Sequence, residues 1–178
     1  NPNDHLSFKL FSLYVPNAAV DNRTAALYQN HFDGVDIWCD LPVPYGGLIF
    51  YNHGNKTVEW PDEFQLPPGL LVMHPADNYV RSCIRFTVPA DGRYSVNGYF
   101  YSPGVPSNPN GKGTTDVHFS INNVEQQSFW INSNGGSFVF PDLHLNYGDF
   151  VHFEVGWGIN NDLWHDSTIT NLTIIRFT

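Results

Sequence analysis

Apolar and polar residues alternate with a period of two along much of this chain. Leu6, Phe8 and Leu10 are separated by Ser7 and Lys9, which predicts an opening strand. Residues 16–36 break the pattern with Asn and Asp, and a helical turn over residues 24–28 is the one helix candidate. Short apolar runs at 48–51 and 70–74 follow, separated by Pro61, Pro67, Pro68 and Gly69.

The second half is more regular. Residues 80–88 and 93–101 read as a hairpin across Pro89-Ala90-Asp91-Gly92. The Pro/Gly/Asn stretch 102–113 reads as a long loop. Residues 115–121 and 125–131 are expected to pair across Asn122-Asn123, since Asn tolerates the positive φ of a two-residue turn. Strands are also expected at 137–140, 142–145, 150–157 and 167–177. Two segments stand out, 88–96 and 145–155, each a Gly-tipped turn feeding an alternating strand. Short strands with turn signals at roughly 8–12-residue spacing predict an all-β fold. The expected architecture is a single antiparallel β-sandwich of jelly-roll type, one domain over residues 1–178.

Composition narrows the partners. Net charge is −9, and the eight Lys and Arg are scattered. A nucleic-acid partner requires a basic footprint, so none is expected. No apolar run reaches the ~18 residues needed to span a bilayer, so no membrane insertion is expected. Polarity comes instead from uncharged groups, with 19 Asn, while charged residues are 14% of the chain. The chain opens on Asn1 rather than Met, which reads as a processed mature chain or an excised domain.

Two cysteines are present, Cys39 and Cys83. Their alternatives are a disulfide and two buried thiols. A disulfide would close a loop of about 45 residues and contribute about 4 kcal/mol in the chain-entropy model. The secreted-looking composition favours the disulfide.

No nucleophile elbow, zinc-protease motif or phosphate loop is present, so the chain reads as a non-enzyme. Glycoside hydrolysis would need two carboxylates about 5–9 Å apart. Of four Glu, Glu154 shares a strand face with His152, and that face is expected to be the solvated side. The segment 156–168 is the strongest binding candidate. Trp157 and Trp164 offer flat rings for the C–H face of a sugar, and Asn160, Asn161 and Asp162 offer groups for its hydroxyls. The alternative is that both Trp plug the end of the sandwich. Trp60, between Glu59 and Pro61, joins the glycan candidates as an exposed ring. Structural calcium is the cofactor candidate, because it takes six to eight hard oxygens. Asp116 and Asp166 are the candidate ligands, with ordinary Asx turns as the alternative reading. The eight His show no convergent set for zinc. Three Asn-x-Ser/Thr sequons place candidate glycans at Asn22, Asn55 and Asn171, with Asn171 the least accessible because it falls in a strand.

Taken together, Leu70-Leu-Val-Met-His-Pro75, residues 85–94, 114–119, 148–153 and Asp166-Ser-Thr168 resemble the jelly-roll domain of exported bacterial surface proteins of the PEP-CTERM-sorted type. Such domains are similar to carbohydrate-binding modules. The resemblance implies extracellular or cell-surface display in a polysaccharide-rich matrix, with no catalytic residues to carry over. The chain departs from that type by lacking the Pro-Glu-Pro tail, apolar segment and basic end. Two functions are expected from this reading. One is glycan or polysaccharide recognition through loop aromatics. The other is a structural subunit that pairs with copies of itself into a filament or matrix layer.

Overall fold

The computed structural model describes residues 26–28, 35–39, 47–60, 64–76, 81–103, 113–132, 135–160 and 165–177. For residues 26–28, 36, 38, 39, 60 and 64 it describes the backbone alone. The expected strand at residues 6–10 lies outside the described residues.

Thirteen strands are described: β1 (Ala26–Tyr28), β2 (Val35–Cys39), β3 (Leu48–Asn52), β4 (Val58–Trp60), β5 (Phe64–Leu66), β6 (Leu71–His74), β7 (Ser82–Thr87), β8 (Gly92–Tyr101), β9 (Thr114–Ile121), β10 (Val124–Asn132), β11 (Gly136–Leu145), β12 (Phe150–Gly156) and β13 (Thr168–Phe177). One sheet runs β1-β2-β3-β6-β13-β8-β11, a second runs β10-β9-β12-β7, and β4 and β5 form a small ribbon. All pairings are antiparallel. The eight strands β6 to β13 divide into β6-β13-β8-β11 and β7-β12-β9-β10, with the chain changing sheet at every connection except β9 to β10. That interleaving is the jelly roll, and β1 to β3 widen its first sheet.

The expected 80–101 hairpin is not formed. β7 pairs with β12 and β8 pairs with β11 and β13, so consecutive strands enter opposite sheets. The turn after β7 instead bonds to the other Gly-tipped turn: Val88 N–H donates to the Asp149 carbonyl, and Gly148 N–H donates to the Val88 carbonyl, both at 2.9 Å. Tyr147 N–H donates to the Asp91 carboxylate at 2.6 Å. The two segments that dominate the sequence are thus twin arches, stitched side by side where the chain crosses between sheets. Several of their backbone N–H and C=O groups are satisfied by each other. The helical turn expected at residues 24–28 is also corrected, since residues 26–28 pair with β2 as a strand. The Asn122-Asn123 hairpin forms as expected, with φ of 51° and 65° and β9 paired to β10.

The core between the sheets is aromatic. Phe119 lies 4.4 Å from Phe140, 5.4 Å from Phe153 and 5.6 Å from Phe138, ring centre to ring centre. Gly98 faces this core, where a Cβ would press on Phe100, Leu172 and Phe153. A second apolar cluster of Val35, Ile37, Phe50, Leu66, Val72 and Ile169 lies on the opposite face of the seven-stranded sheet, with Val58 and Leu66 of the β4–β5 ribbon packed into it. Ladder registers align Ile37, Phe50, Val72, Ile169 and Tyr101 in one row across that face. Among the described residues, no helix is long and apolar enough to cross a membrane.

Candidate functional site

The outer face of the seven-stranded sheet changes character at Tyr101. That ring packs against the second cluster, and two residues along β8 the Tyr99 ring stands 49% exposed. The two rings lie 5.6 Å apart, tilted by 34°. Period-two alternation brings Asn97 to the same face, and the ladders add Asn171 and Thr173 from β13 and Ser137 and Val139 from β11. Asn171 is directly opposite Tyr99, and Asn97 is directly opposite Thr173 and Val139. Asn171, Thr173, Ser137 and Val139 are all exposed. Gly135 keeps the space beside the ring clear, since a Cβ there would overlap the Tyr99 side chain. The result is an open surface with an aromatic face and amide and hydroxyl groups around it.

The loop after β12 is built differently. Trp157 is half-buried, and its indole N–H donates to the Ala76 carbonyl. Gly158 has φ of +73°, and the Trp130 ring fills the place where a Cβ would sit. Gly158 N–H donates to Asp116 Oδ1 at 2.8 Å, and Asn160 donates to Thr114 Oγ1 at 2.5 Å. Trp157 is therefore pinned as part of the sandwich end. Ile159, 85% exposed, is the apolar tip of this loop. Asn161, Asp162 and Trp164 lie outside the described residues, as does the side chain of Trp60.

The outer face of the four-stranded sheet carries a dense group of titratable side chains. Registers align His118, Glu154 and Cys83 in one row, and Ser120, His152 and Arg85 in the next. This corrects the expectation that the Glu154 and His152 face is solvated: Glu154 is 4% exposed and His152 is fully buried. Their charges and dipoles are matched within the sheet. Arg81 donates to Glu154 Oε2 at 3.0 Å, and Arg85 donates to His152 Nε2 at 2.7 Å. Burial, then the Arg85 charge, pushes the His152 imidazole down to about 4, so the ring is neutral and accepts from Arg85. His118 bridges Asp116 and Glu125, at 2.6 Å to each. Burial works against its charged form, but those two carboxylates outweigh it and raise the imidazole above its usual value. Burial would likewise raise Asp116, but His118, Arg81 and the Gly158 N–H bring its carboxyl below the usual range.

These contacts show where several expected site residues lie. Asp116 accepts from the Gly158 N–H and is hydrogen-bonded to His118, with the Arg81 guanidinium 3.9 Å away. Asp166 is fully buried and its Oδ1 accepts from Thr114 N–H at 3.2 Å. The expected Cys39–Cys83 disulfide is not formed. Cys83 is a free, fully buried thiol on the same face as His152 and Glu154, and burial followed by the nearby Glu154 charge raises its pKa. The Cys39 side chain lies outside the described residues. Asn55 and Asn171 are both exposed, so the strand position of Asn171 does not hide it, and Asn22 lies outside the described residues. Sequence reasoning missed the Tyr99 surface because β8 carries aromatic residues on both faces. The ladder partners Asn171 and Val139 were the missing signal.

No family model matches the chain, and no curated protein matches it. Among solved structures, the chain is similar to a Podospora anserina GH26-CBM35 beta-(1,4)-mannanase, with 9% identity and a TM-score of 0.38 over 76% of this chain and 28% of that one. It is also similar to the CBM36-1 domain of a multidomain xylanase from the hindgut metagenome of Trinervitermes trinervoides, with 11% identity and a TM-score of 0.32 over 72% of this chain and 94% of that one. The chain thus spans about a quarter of the length of the mannanase.

Proposed function

We propose that this protein is a non-catalytic, extracellular or cell-surface β-sandwich that binds a neutral polysaccharide. The observation that carries the reading is the exposed Tyr99 ring, braced by Tyr101 and flanked by Asn97 and Asn171 on an open sheet face. A pyranose ring has an apolar C–H face and a rim of hydroxyls, and this surface offers a partner for each. The net charge of −9 disfavours polyanionic glycans, so a neutral chain is the matching class. The loop aromatics first expected to bind contribute less in this reading, because the Trp157 indole N–H is engaged by Ala76. Asp116 and Asp166 remain the candidates for a structural calcium ion.

The test is gel retardation of the intact chain in a panel of neutral polysaccharides. Retardation by at least one of them, lost in Tyr99→Ala with the circular dichroism spectrum unchanged, supports the reading. Equal retardation of both proteins overturns it.

A second reading is favoured by the strand edges. Among the described strands, β10 and β11 end their sheets, and Val124 and Val139 on them are strongly exposed. Open edges of this kind can pair with another copy. Light scattering on the purified chain would give a mass near 20.2 kDa for a monomeric binder and a concentration-dependent larger mass for a self-assembling subunit.

A further inference from the structure

We propose that Cys83, His152 and Glu154 form a binding site for a zinc-class divalent cation on the outer face of the four-stranded sheet. One potential ligand atom from each residue lies within 4.8 Å of the other two, and all three residues are buried. They reach this arrangement through the ladder alone. Cys83 and Glu154 are direct register partners across β7 and β12, and His152 is two residues from Glu154 on the same face.

The donor set is selective. A thiolate, an imidazole and a carboxylate together suit zinc and its neighbours rather than calcium or magnesium, which take oxygen. Metal–ligand bonds of 2.0–2.3 Å place tetrahedral ligands about 3.5 Å apart, so the cluster must contract by roughly 1 Å. Small side-chain rotations achieve that without moving the strands. The atoms to be used are assigned by their neighbours. Arg81 holds Glu154 Oε2, which leaves Oε1, and Oε1 lies 3.8 Å from His152 Nδ1. Without metal, the Nδ1–H faces Ser120 Oγ at 3.4 Å, and the cation replaces that contact on binding. A water completes the fourth position.

Without metal, the Cys83 sulfur carries a proton, and His152 carries its proton on Nδ1 because Nε2 accepts from Arg85. On binding, the thiol proton leaves to solvent and the imidazole proton moves to Nε2. One proton is therefore released per cation. Arg85 must then release Nε2, and its guanidinium already lies 4.7 Å over the Phe150 ring, which gives it a place to rest. The ion's two positive charges are balanced by the thiolate and the carboxylate, and Arg81 stays as an outer partner of Glu154.

The experiment is calorimetric titration of the chelator-treated full chain with zinc chloride in two buffers of different ionisation enthalpy. One equivalent of zinc and about one proton released per chain are expected. Cys83→Ser, His152→Gln and Glu154→Gln should each weaken binding by at least about a hundredfold, and Cys39→Ser should leave it unchanged. Arg85→Gln should tighten it, because the new amide oxygen accepts from the Nε2 proton where Arg85 opposed it. Absence of stoichiometric binding, equal binding by Cys83→Ser, or loss in Cys39→Ser would each overturn the proposal. Should a ligand variant fail to fold, cobalt substitution in the wild-type chain decides: a thiolate-to-cobalt charge-transfer band supports the site, and its absence rejects it.

Discussion

Asn171 stands directly opposite Tyr99 across the β13–β8 ladder, and both side chains leave the sheet on its exposed face. An amide and an aromatic ring are thereby held at a fixed cross-strand spacing of about 5 Å. Truncating the ring removes the apolar half of that pair and leaves the core untouched, since Tyr99 makes its ring contact with Tyr101 on the surface. Tyr99→Ala should weaken polysaccharide binding about tenfold or more, equivalent to about 1.4 kcal/mol. The thermal midpoint should change little. Isotherms and melting curves on the two proteins check both parts.

The same pairing sets up a competition. Asn171 heads a sequon whose Thr173 shares its outward face, so an N-linked glycan there would cover the Tyr99 ring. Polysaccharide binding thus requires Asn171 to be unoccupied. Intact-mass analysis of the purified chain and of Asn171→Gln should show the same glycan content in any preparation that binds. In a preparation glycosylated at this position, enzymatic removal of the glycan should restore binding.

Two histidines on the other sheet should give the metal-free chain opposing pH responses. His152 titrates near 4 when folded and near 6.5 when unfolded. Its contribution is complete above about 6.5 and is lost as pH falls toward 4, with a magnitude of about 3 kcal/mol. His118 is raised, so its contribution is complete below about 6.5 and is lost as pH rises through its folded value. Asp116 and Glu125, both lowered, add an acid-side loss within the carboxylate range. Denaturant melts should show wild-type stability falling between pH 6.5 and 4.5, with His152→Gln nearly flat over that interval. His118→Gln should differ most from wild type below pH 6.5. A wild-type chain equally stable at pH 6.5 and 4.5 would contradict a neutral buried His152.

Gly158 joins a positive φ to the close approach of Trp130. Gly158→Ala should destabilise the fold by about 2 kcal/mol or more, because strain and overlap act together. Trp157→Phe keeps a ring but removes the donor to Ala76, and should cost about 1 kcal/mol. Chemical denaturation checks both. If Trp157→Phe instead abolished sugar binding at unchanged stability, the end loop would be the binding site.

Cys83 should be inert in the native, metal-free chain. Its thiol is fully buried, and burial holds it protonated. Thiol titration without reductant should detect Cys83 after denaturation and not before. Peptide mapping that found Cys83 in a disulfide would contradict the free thiol.

Strand positions in the second half were legible because alternation and turn residues agree there. Asn122-Asn123 requires positive φ, and Asn tolerates it. What the alternation could not reveal was pairing. Residues 80–101 look like a hairpin because the Gly-tipped turn is short, yet Val88 bonds to the 145–150 turn, and that non-local choice decides the jelly roll. The buried face of β12 was misread for a related reason. Glu154 and His152 look solvent-facing until Arg81 and Arg85 arrive from neighbouring positions to satisfy them. In β8, Tyr94 and Phe100 face the core while Tyr99 and Tyr101 face outward, so composition alone gives no orientation. The Trp-rich loop drew attention by composition, and there the Trp157 indole N–H donates to the Ala76 carbonyl.

Amide chemical-shift mapping during a polysaccharide titration tests the binding account most directly. The account predicts perturbations centred on residues 97–101 and 171–173, with smaller shifts at 137–139. Perturbations centred on 157–160, or none with any neutral polysaccharide, would contradict it.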